Sequence, residues 1–442
     1  MLARIARPLL FLFVVLLLAA AVAVLQTRRN NAGPDWLKAT GARPTIAAPA
    51  TERIPTVAIA RPTAWGEARP AAAPGLKVEP FAGDLDHPRW LTTLPNGDVL
   101  VAEANAPPRP KRGLVDVVMG WLLNRAGAGV PSADRLTLLR DANGDGRVDL
   151  RTVLVTGLAS PTGMAFANNK LYVANHDAVV AFPYALGQTR ITARPEKIVA
   201  LPPAGNHWAR NLVASPDGRF LYVTVGSASN IGEKGMELEE RRAAIWEVFP
   251  ERKTFRIYAG GLRNPNGLDY EPRSGRLWTV VNERDMLGGD GPPDYLTLVD
   301  FGGFYGWPYS YWGGFVDKRV EPRPDLLEYT RRPDYALGAH TAPLGLVFAD
   351  GAQLGPRFDN GAFVALHGSW NRKPLSGYKV IYIPFGANGF PAANAKPVNV
   401  LAGFLTDDQR TRGRPAGLAL DRTGALLVAD DVGNRIWRVS RQ

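Results

Sequence analysis

A hairpin pattern that occurs six times along the chain is the feature that most constrains its fold. Each copy has a short β-rich run, a polar turn that often contains glycine, and a second β-rich run that ends in polar residues. Glycine suits such turns because it tolerates positive φ angles. The copies begin roughly 50 to 80 residues apart, which leaves room for outer strands in each unit. They cover residues 87–103, 161–175, 211–224, 264–280, 343–366 and 414–430.

Six such units predict an all-β fold, namely a six-bladed β-propeller over residues 76–442. Radial repetition of four-stranded sheets leaves no long open edge, and propellers reach this length as one closed unit. The 46 glycines and 37 prolines fit a fold with many turns better than a mainly helical one. The run 76–81 precedes the first copy, and we expect it to pair with the last blade and close the ring.

The N-terminus predicts a membrane element. An apolar run from Pro8 to Leu25 carries no charge and follows Arg4 and Arg7. Its length is near the lower limit for crossing a bilayer and exceeds that of most signal-peptide cores. We therefore predict a signal anchor, a transmembrane helix within residues 1–30, that holds the protein on the periplasmic side of the inner membrane. Secretion after signal cleavage is the alternative.

Three further segments lie outside the repeat. Residues 31–75 are rich in Pro, Ala and Arg and are predicted to be a linker. The insertion at about 104–136 contains an amphipathic helical pattern at 114–123. This helix could lie on a membrane, meet a partner or pack on the propeller, and packing is the simplest interpretation. The insertion at about 302–340 is rich in Gly, Trp and Tyr and predicts a long loop over one face.

Composition excludes several classes of protein. The chain has no cysteine, which excludes disulfides, iron–sulfur clusters, Cys-ligated zinc and a covalent c-type haem. The net charge is +11, but basic residues are spread along the whole chain without a long basic run. Such spacing is typical of a solvated surface, so we expect no nucleic-acid partner.

Polar residues collect at one end of the predicted hairpins. The start of the first strand and the end of the second lie at the same end of a hairpin, so six copies bring these positions to one mouth of the ring. All five histidines occupy such positions. Strand capping by polar side chains explains part of this set and is the structural alternative. The mouth set comprises His87, Glu103, His176, His207, Arg263, Asn264, Asn282, Glu283, His340, His367, Arg414, Asp430 and Asp431.

His207 is the candidate general base of this set. It precedes the third hairpin, between Asn206 and Trp208. An imidazole has a pKa near neutrality and suits the removal of a proton from a substrate. A hydrogen-bonded loop histidine without a catalytic role is the alternative.

Four motifs carry a resemblance to a known family. They are His-Trp-Ala-Arg-Asn-Leu-Val-Ala-Ser-Pro-Asp-Gly at 207–218, Gly-Leu-Arg-Asn-Pro-Asn-Gly at 261–267, Gly-Gly-Phe-Tyr-Gly-Trp-Pro at 302–308 and Gly-Ser-Trp-Asn-Arg at 368–372. Over residues 76–442 the chain resembles the quinoprotein glucose/sorbosone dehydrogenases. The resemblance implies oxidation of a sugar hydroxyl with hydride transfer to pyrroloquinoline quinone (PQQ). It also implies calcium as a second cofactor and an external quinone or redox protein as electron acceptor.

The resemblance assigns roles to residues at the mouth. It makes His207 the general base, while Arg263 stabilises negative charge that develops on the quinone oxygen. Asn264 and Arg414 would bind the cofactor, whose three carboxylates suit a guanidinium.

Four more positions receive roles from the same resemblance. His367 and Arg372 occupy the stretch where some family members carry a cofactor-binding lysine, and are therefore candidate cofactor ligands. Gly291 and Pro292 resemble a loop whose backbone carbonyls bind calcium, which would polarise the quinone as a Lewis acid.

A second candidate metal site lies at 141–149. Oxygen-bearing residues alternate there, with glycine at the sixth position, as at the start of a calcium loop. Thr152 stands at the twelfth position, where an EF-hand has glutamate. A structural calcium site and a plain Asx-rich turn both fit this pattern. The candidate ligands are Asp141, Asn143, Asp145 and Asp149.

Two other functions fit the predicted architecture. A calcium-dependent lactonase would use Glu103 with Asn or Asp ligands and a water molecule. A propeller without a cofactor would serve as a binding scaffold, because a fold does not dictate a function.

Overall fold

A computed structural model of the chain describes residues 2–33, 35–108 and 113–442. The side chains of 2–12, 114–116 and 119 lie outside this description, and with them part of the predicted anchor, including Arg4, Arg7 and Pro8. The helices are α1 (Leu2–Arg28), α2 (Leu114–Arg125) and α3 (Pro324–Leu327), with short 3₁₀ turns at Trp36–Ala39, Met236–Glu239 and Pro356–Phe358.

The described strands form six antiparallel sheets of four or five strands and one two-stranded hairpin. In chain order they are β1 (Thr40–Gly41), β2 (Ala71–Ala72), β3 (Leu76–Ala82), β4 (Pro88–Thr93), β5 (Val99–Glu103), β6 (Arg135–Arg140), β7 (Leu150–Thr156), β8 (Gly163–Ala167), β9 (Lys170–Ala174), β10 (Ala178–Pro183), β11 (Glu196–Ala200), β12 (Leu212–Ala214), β13 (Leu221–Val225), β14 (Ala244–Phe249), β15 (Thr254–Gly260), β16 (Asn264–Glu271), β17 (Arg276–Asn282), β18 (Pro293–Leu298), β19 (Ser310–Tyr311), β20 (Phe315–Val316), β21 (Tyr335–Ala339), β22 (Pro343–Phe348), β23 (Gly361–Leu366), β24 (Lys379–Pro384), β25 (Val398–Ala402), β26 (Pro415–Leu420), β27 (Leu426–Asp430) and β28 (Arg435–Arg441).

These sheets are the blades of the predicted six-bladed propeller, and the prediction is confirmed. Blades 1 to 3 are β4–β7, β8–β11 and β12–β15. Blade 4 is β16–β18 with β21, and blade 5 is β22–β25. Blade 6 is β26–β28, and its fourth strand is β3 from the start of the propeller. Leu76 of β3 pairs with Arg441 of β28 at one end, and Ala82 pairs with Ile436 at the other, which closes the ring as predicted.

Glycines on the innermost strands set how closely neighbouring blades approach. A Cβ atom on Gly345 would lie 2.4 Å from the carbonyl oxygen of Ala416 in the next blade. Glycine is therefore required there because backbone of the adjacent strand fills the space of a side chain. The same close approach occurs at Gly163, Gly267 and Gly417.

The described helices contradict the predicted membrane anchor. Within the described residues no helix is long and apolar enough to cross a membrane. The predicted placement, anchored on the periplasmic side of the inner membrane, is therefore wrong.

The segment 31–75, predicted to be a linker, packs on the propeller. β1 pairs with β21 of blade 4, and β2 pairs with β25 of blade 5. Trp65 is buried, and its indole N–H donates a hydrogen bond to Asp430 at 2.8 Å. Glu52 is also buried. The segment lacks strand or helix periodicity, and its few anchoring residues are recognisable only through their tertiary contacts. We call residues 31–33 and 35–66 the strap.

The two predicted insertions take different courses. The helix predicted in 104–136 is present as α2, and its described side chains Val117 and Trp121 are exposed. Packing of its other side chains on the propeller stays a prediction. The insertion 302–340 contains β19, β20 and α3 and returns to the mouth, where the Trp307 indole donates to the Asn230 carbonyl at 2.9 Å.

We expect Gly345→Ala to lower the free energy of unfolding by about 1–3 kcal/mol, because the added methyl group meets fixed backbone. Gly83→Ala is the matched control, since a Cβ atom there has no neighbour within 4 Å. Thermal or urea unfolding of both variants checks this. Equal stability of the two variants would show that the inner strands can move apart freely.

Candidate active site

The mouth is the end of the ring where β4, β8, β12, β16, β22 and β26 begin. The loops that enter these strands and those that follow β5, β9, β13, β17, β23 and β27 meet there. All five histidines lie in these loops, as the hairpin geometry predicts. Their side chains differ in surroundings. His176, for example, has a buried Nδ1 without a hydrogen-bond partner among the described residues.

The His207 side chain is held through one ring nitrogen, Nδ1. Its Nδ1 lies 2.9 Å from the Ser227 carbonyl oxygen and 3.0 Å from the Ser227 hydroxyl. A carbonyl oxygen only accepts hydrogen bonds, so Nδ1 carries the proton and Nε2 carries the lone pair. Burial lowers the pKa of His207 well below its usual value, and the positive charge of Arg263 lowers it further. His207 is therefore a neutral imidazole whose Nε2 can accept a proton.

Arg263 is fixed by the loops around it. Its Nε donates to the Asn230 carbonyl at 3.1 Å, and Nη1 donates to the Glu283 carbonyl at 2.5 Å. Nη2 donates to the Asn230 side chain at 2.8 Å and to the Asp285 carboxylate at 3.0 Å. The guanidinium is buried and its donors are used within the protein, so it acts on a ligand through its charge rather than through a free N–H group.

Asp285 joins Arg263 to a second histidine. The other carboxylate oxygen of Asp285 lies 3.3 Å from His340 Nδ1, and His340 Nε2 lies 2.9 Å from the Gly288 carbonyl. Burial lowers the pKa of His340, but the hydrogen bond and negative charge of Asp285 outweigh it, so the pKa is raised. Burial likewise raises the pKa of Asp285, but Arg263 and His340 bring it below its usual value.

Asn264 lies against His207. A Cβ atom on Gly226 would lie 2.5 Å from Asn264 Oδ1 and 2.7 Å from His207 Cβ. Because Gly226 has no side chain, the side chains of Asn264 and His207 can both pack against its backbone. The Asn264 side chain has no hydrogen bond among the described residues, which leaves its amide available to a ligand.

A second group of polar side chains surrounds Asp431. His367 Nε2 lies 2.7 Å from Asp431 Oδ2, His87 Nε2 lies 3.6 Å from the same atom, and Arg89 forms an ion pair with it. Burial raises the pKa of Asp431, but His367, His87 and Arg89 bring it well below its usual value. The carboxylate is therefore ionised, and its Oδ1 is buried without a partner.

Arg414 lies beside this group with no protein acceptor. Its guanidinium packs over the Tyr378 ring at 5.2 Å, and its Nε is buried without a hydrogen-bond partner. Among the described residues the side chain has no ion pair. A buried N–H donor without an acceptor is costly in a folded protein. The side chain is therefore a candidate for binding a ligand that carries negative charge.

Arg89 connects the two groups. Its guanidinium lies 5.8 Å from the ring centroid of Trp208, the residue that follows His207, while its Nη1 contacts Asp431. The Asp431 and Arg414 group therefore borders the loop of His207. The ring thus brings together His207, the adjacent Arg263 and Asn264, His367 and Arg414, which come from four segments about 50 to 200 residues apart in the sequence.

The Arg372 guanidinium, unlike that of Arg414, donates hydrogen bonds to other residues. It donates to the Pro374 carbonyl at 2.5 Å, to the Gly33 carbonyl at 2.9 Å and to Asp290 at 3.2 Å. These contacts join the strap to the loop before β18. Its guanidinium has a structural use here that the sequence did not indicate, and its donors are not directed to a ligand.

The predicted metal ligands lie at opposite ends of the propeller. Gly291 and Pro292 are in the mouth loop between β17 and β18, next to Ala47 of the strap. Residues 141–149 connect β6 and β7 at the far end, where both Asp141 carboxylate oxygens accept backbone N–H groups of Gly144 and Gly146. Across the described chain, no three His, Asp or Glu side chains are grouped to hold a metal ion.

The remaining candidate ligands of the 141–149 loop also accept backbone N–H groups. Asn143 accepts the N–H of Asp145, Asp145 accepts the N–H of Arg147, and Asp149 accepts the N–H of Ala142. The loop has the hydrogen bonds of an Asx-rich turn.

Glu103 is the candidate ligand residue of a lactonase, and its carboxylate already accepts hydrogen bonds from other residues. Its carboxylate accepts from Arg135 at 2.7 and 3.0 Å and also from Thr137 and the Asp86 backbone. Each oxygen is therefore used to hold blade 1, and nothing in this arrangement favours hydrolysis.

Sequence reasoning missed several residues of the site. Asp285 and Asn230 were not singled out, although both hold Arg263. Arg89 and Tyr378 were also missed. The position of Arg89 directly after the start of β4 matches that of the other mouth residues and was a usable signal. Tyr378 gave no signal, because its role depends on Arg414 from the neighbouring blade.

Comparison with known proteins identifies the family. A family model described as TrAA12-like matches residues 70–293 and 327–442. The chain belongs to the TrAA12-like family. A PQQ-dependent pyranose dehydrogenase of Coprinopsis cinerea is 25% identical over 434 residues, which cover 84% of this chain and 54% of that protein. The chain thus spans about half the length of this relative.

Two further relatives agree with this membership. A PQQ-dependent sugar dehydrogenase of Hypocrea jecorina (strain QM6a) is 23% identical over 380 residues, which cover 74% of this chain and 84% of that protein. The holo PQQ domain of Coprinopsis cinerea pyranose dehydrogenase superposes with a TM-score of 0.68 at 22% identity, over 84% of this chain and 97% of that one. The structural likeness shows the fold alone, and together the matches confirm the resemblance found in the sequence.

The surroundings of His367 predict an effect of pH on the stability of this TrAA12-like protein. Burial lowers the pKa of His367 to about 4, whereas in the unfolded chain it is near 6.5. Between these values the unfolded chain binds a proton that the folded chain does not. The free energy of unfolding therefore falls as pH falls from 6.5 to 4, by up to about 1.4 kcal/mol per pH unit from this group.

Urea unfolding of wild type and His367→Gln at pH 6.5, 5.5 and 4.5 measures this slope. We expect a shallower slope in His367→Gln. His340→Gln is the matched control, because the pKa of His340 is raised and its titration therefore lies above this range. Equal slopes in wild type and His367→Gln would contradict the prediction.

Proposed function

We propose that this protein is a quinoprotein dehydrogenase that oxidises a hydroxyl group of a sugar, with PQQ bound at the mouth of the propeller. One observation carries the proposal. The neutral imidazole of His207 shares the mouth with buried arginine side chains, and the buried Nε of one of these, Arg414, has no acceptor among the described residues. The relatives named as PQQ-dependent sugar dehydrogenases support the same chemistry.

The residues at the mouth match the chemical groups of PQQ. Its carboxylates match the free guanidinium donors of Arg414, and its flat rings can lie near Tyr378 and Trp208. Asn264 offers an amide next to His207. His367 and Arg89 border the same space through Asp431. Arg372 is the predicted cofactor ligand with the weakest support, because its donors bind the strap and Asp290.

His207 would remove the proton from the sugar hydroxyl. PQQ, when bound, supplies the acceptor for the hydride that leaves the same carbon. Nε2 carries the lone pair because Nδ1 donates to the Ser227 carbonyl, which also fixes the ring orientation. The low pKa keeps His207 neutral, so the basic form is populated before substrate binds.

Arg263 would act through its positive charge. It is buried close enough to His207 to lower its pKa, and its position is fixed by Asn230, Glu283 and Asp285. A fixed charge costs no reorganisation when negative charge develops on a bound ligand. The negative charge of Asp285 partly offsets the effect of Arg263 on the pKa of His207.

Reconstitution separates the proposal from its alternatives. The purified chain is mixed with PQQ, with and without Ca²⁺, and a panel of aldoses is tested for reduction of an artificial dye. Sugar-dependent dye reduction that requires PQQ supports the dehydrogenase. Lactone hydrolysis with Ca²⁺ alone would support the lactonase, and neither activity would leave a scaffold. A requirement for Ca²⁺ in addition to PQQ would support the predicted role of the Gly291–Pro292 loop.

We expect His207→Ala to lower kcat by about 10²–10⁴-fold, because the general base is lost. The affinity for PQQ, measured by absorbance titration, should stay within about twofold, since the base is not assigned to cofactor binding. Unchanged turnover in this variant would remove His207 from the mechanism.

We expect Arg414→Leu to weaken PQQ binding by about tenfold to a hundredfold, because a charged hydrogen-bond donor is lost. The same change should leave the protein without PQQ equally or more stable, because a buried cation without a partner disappears. Arg412→Leu, two residues away and partly exposed, is the matched control for both measurements. A loss of stability with unchanged PQQ affinity would make Arg414 a structural residue.

A further inference from the structure

The strap lies directly on the loop that holds Arg263. The backbone N–H of Glu52 donates to the Met286 carbonyl at 3.1 Å, and that of Ala50 donates to the Leu287 carbonyl at 2.9 Å. Asp285, the ion-pair partner of Arg263, directly precedes this contact. A segment far from the site in sequence therefore supports the backbone next to a site residue.

The Glu52 side chain extends this contact through Asn371. Glu52 is 4% exposed and Asn371 is fully buried. The Asn371 amide N–H donates to Glu52 Oε2 at 3.1 Å, and Asn371 Oδ1 accepts the backbone N–H of Met286 at 2.8 Å. One amide thus joins the carboxylate of the strap to the loop of Asp285.

The Glu52 carboxylate accepts hydrogen bonds from several neutral donors, and the Arg29 guanidinium lies 3.9 Å from its Oε1. Asn31 donates to it at 2.9 Å, and Thr56 donates through its hydroxyl at 3.1 Å and its backbone N–H at 3.2 Å. Burial raises the pKa of Glu52, but these bonds and that from Asn371 bring it below its usual value. The group is an ionised acceptor that fixes four donors at once.

The supported loop has an unfavourable backbone conformation. Met286 has a φ of 68°, in the left-handed region that non-glycine residues rarely adopt. Such a conformation costs of order 1–3 kcal/mol and persists only when surrounding contacts enforce it. Asn371 holds Met286 from the strap side, and Arg319 donates to the Asp285 and Met286 carbonyls at 3.0 and 3.3 Å from the other side.

From these contacts we propose that Glu52 is a positioning residue, which fixes Arg263 in the active site through Asn371, Met286 and Asp285. The proposal rests on the proposed function for its effect on turnover. It assigns the strap to the catalytic unit: without the strap contact, Met286 is free to leave its left-handed conformation, and Asp285 then moves away from Arg263. Glu52 itself touches no substrate or cofactor.

The test compares Glu52→Ala with Glu52→Gln in the full chain. Glu52→Ala removes every acceptor, whereas the Gln carboxamide keeps one oxygen for Asn371. We expect Glu52→Ala to lower kcat by about tenfold to a hundredfold, because a small displacement of a site residue slows a reaction by about this much. KM should change less than about threefold. Glu52→Gln should recover most of the turnover. Glu67→Ala, an exposed glutamate just beyond the strap, should match wild type in all measurements.

A measurement without cofactor keeps the two proposals separate. Hydrogen–deuterium exchange of the protein without PQQ should show faster exchange at Met286 and Leu287 in Glu52→Ala than in Glu67→Ala, with blades 1 to 3 unchanged. If wild type lacks dehydrogenase activity but this difference appears, the proposed function fails and the positioning contact stands. If exchange at Met286 is unchanged, or if Glu52→Ala lowers kcat and KM rises in proportion, the positioning role is overturned. If Glu52→Ala does not fold, the same two readouts on Glu52→Gln decide, with intermediate exchange and turnover expected.

Discussion

Closure of the ring by β3 is the constraint on which the rest of the structure depends. β3 comes from the start of the propeller and pairs along its length with β28 at the C-terminus. This pairing completes the fourth strand of blade 6 and joins the two ends of the propeller, which fixes the six inner strands around one axis. The inner strands then approach until backbone meets the glycine positions, as at Gly345 and Ala416. A residue at the start of an inner strand therefore has a fixed distance to its counterparts in other blades.

The active site uses this geometry to bring together charges that cannot meet locally. His207 belongs to blade 3, Arg263 enters blade 4, and Arg414 enters blade 6. The two arginines differ in an instructive way. Arg263 is satisfied by carbonyls, an amide and Asp285, which fixes its charge in place. Arg414 has a buried Nε without an acceptor among the described residues, and a bound anion would supply one. The first arrangement suits electrostatic preorganisation and the second suits anion binding.

Elements outside the blades complete the site. The insertion 302–340 reaches the mouth, where Trp307 donates to the same Asn230 carbonyl that accepts from Arg263. The strap contacts the opposite side of the Asp285 loop through Glu52 and Asn371. The loop beside Arg263 is thus held between the strap and the part of the insertion that precedes β21, both of which lie outside the four strands of blade 4. This arrangement explains how Met286 keeps its left-handed backbone.

The sequence by itself determined the repeat, and with it the six blades, the closing strand and the end at which the histidines gather, because alternating strands and glycine turns are local properties. It also pointed to His207, Asn264 and Arg414, since their positions follow from the hairpin register. Only the tertiary structure decided which side chains are free. Arg414 and Arg372 look alike in the sequence, yet one lacks an acceptor and the other binds Gly33 and Asp290. The tertiary structure also decided that the strap packs on the propeller, although its Pro- and Ala-rich composition resembles a linker. For the apolar N-terminus, the anchor predicted from the sequence was wrong. Burial and hydrogen-bond partners come from residues distant in the chain, and local sequence patterns carry no record of them.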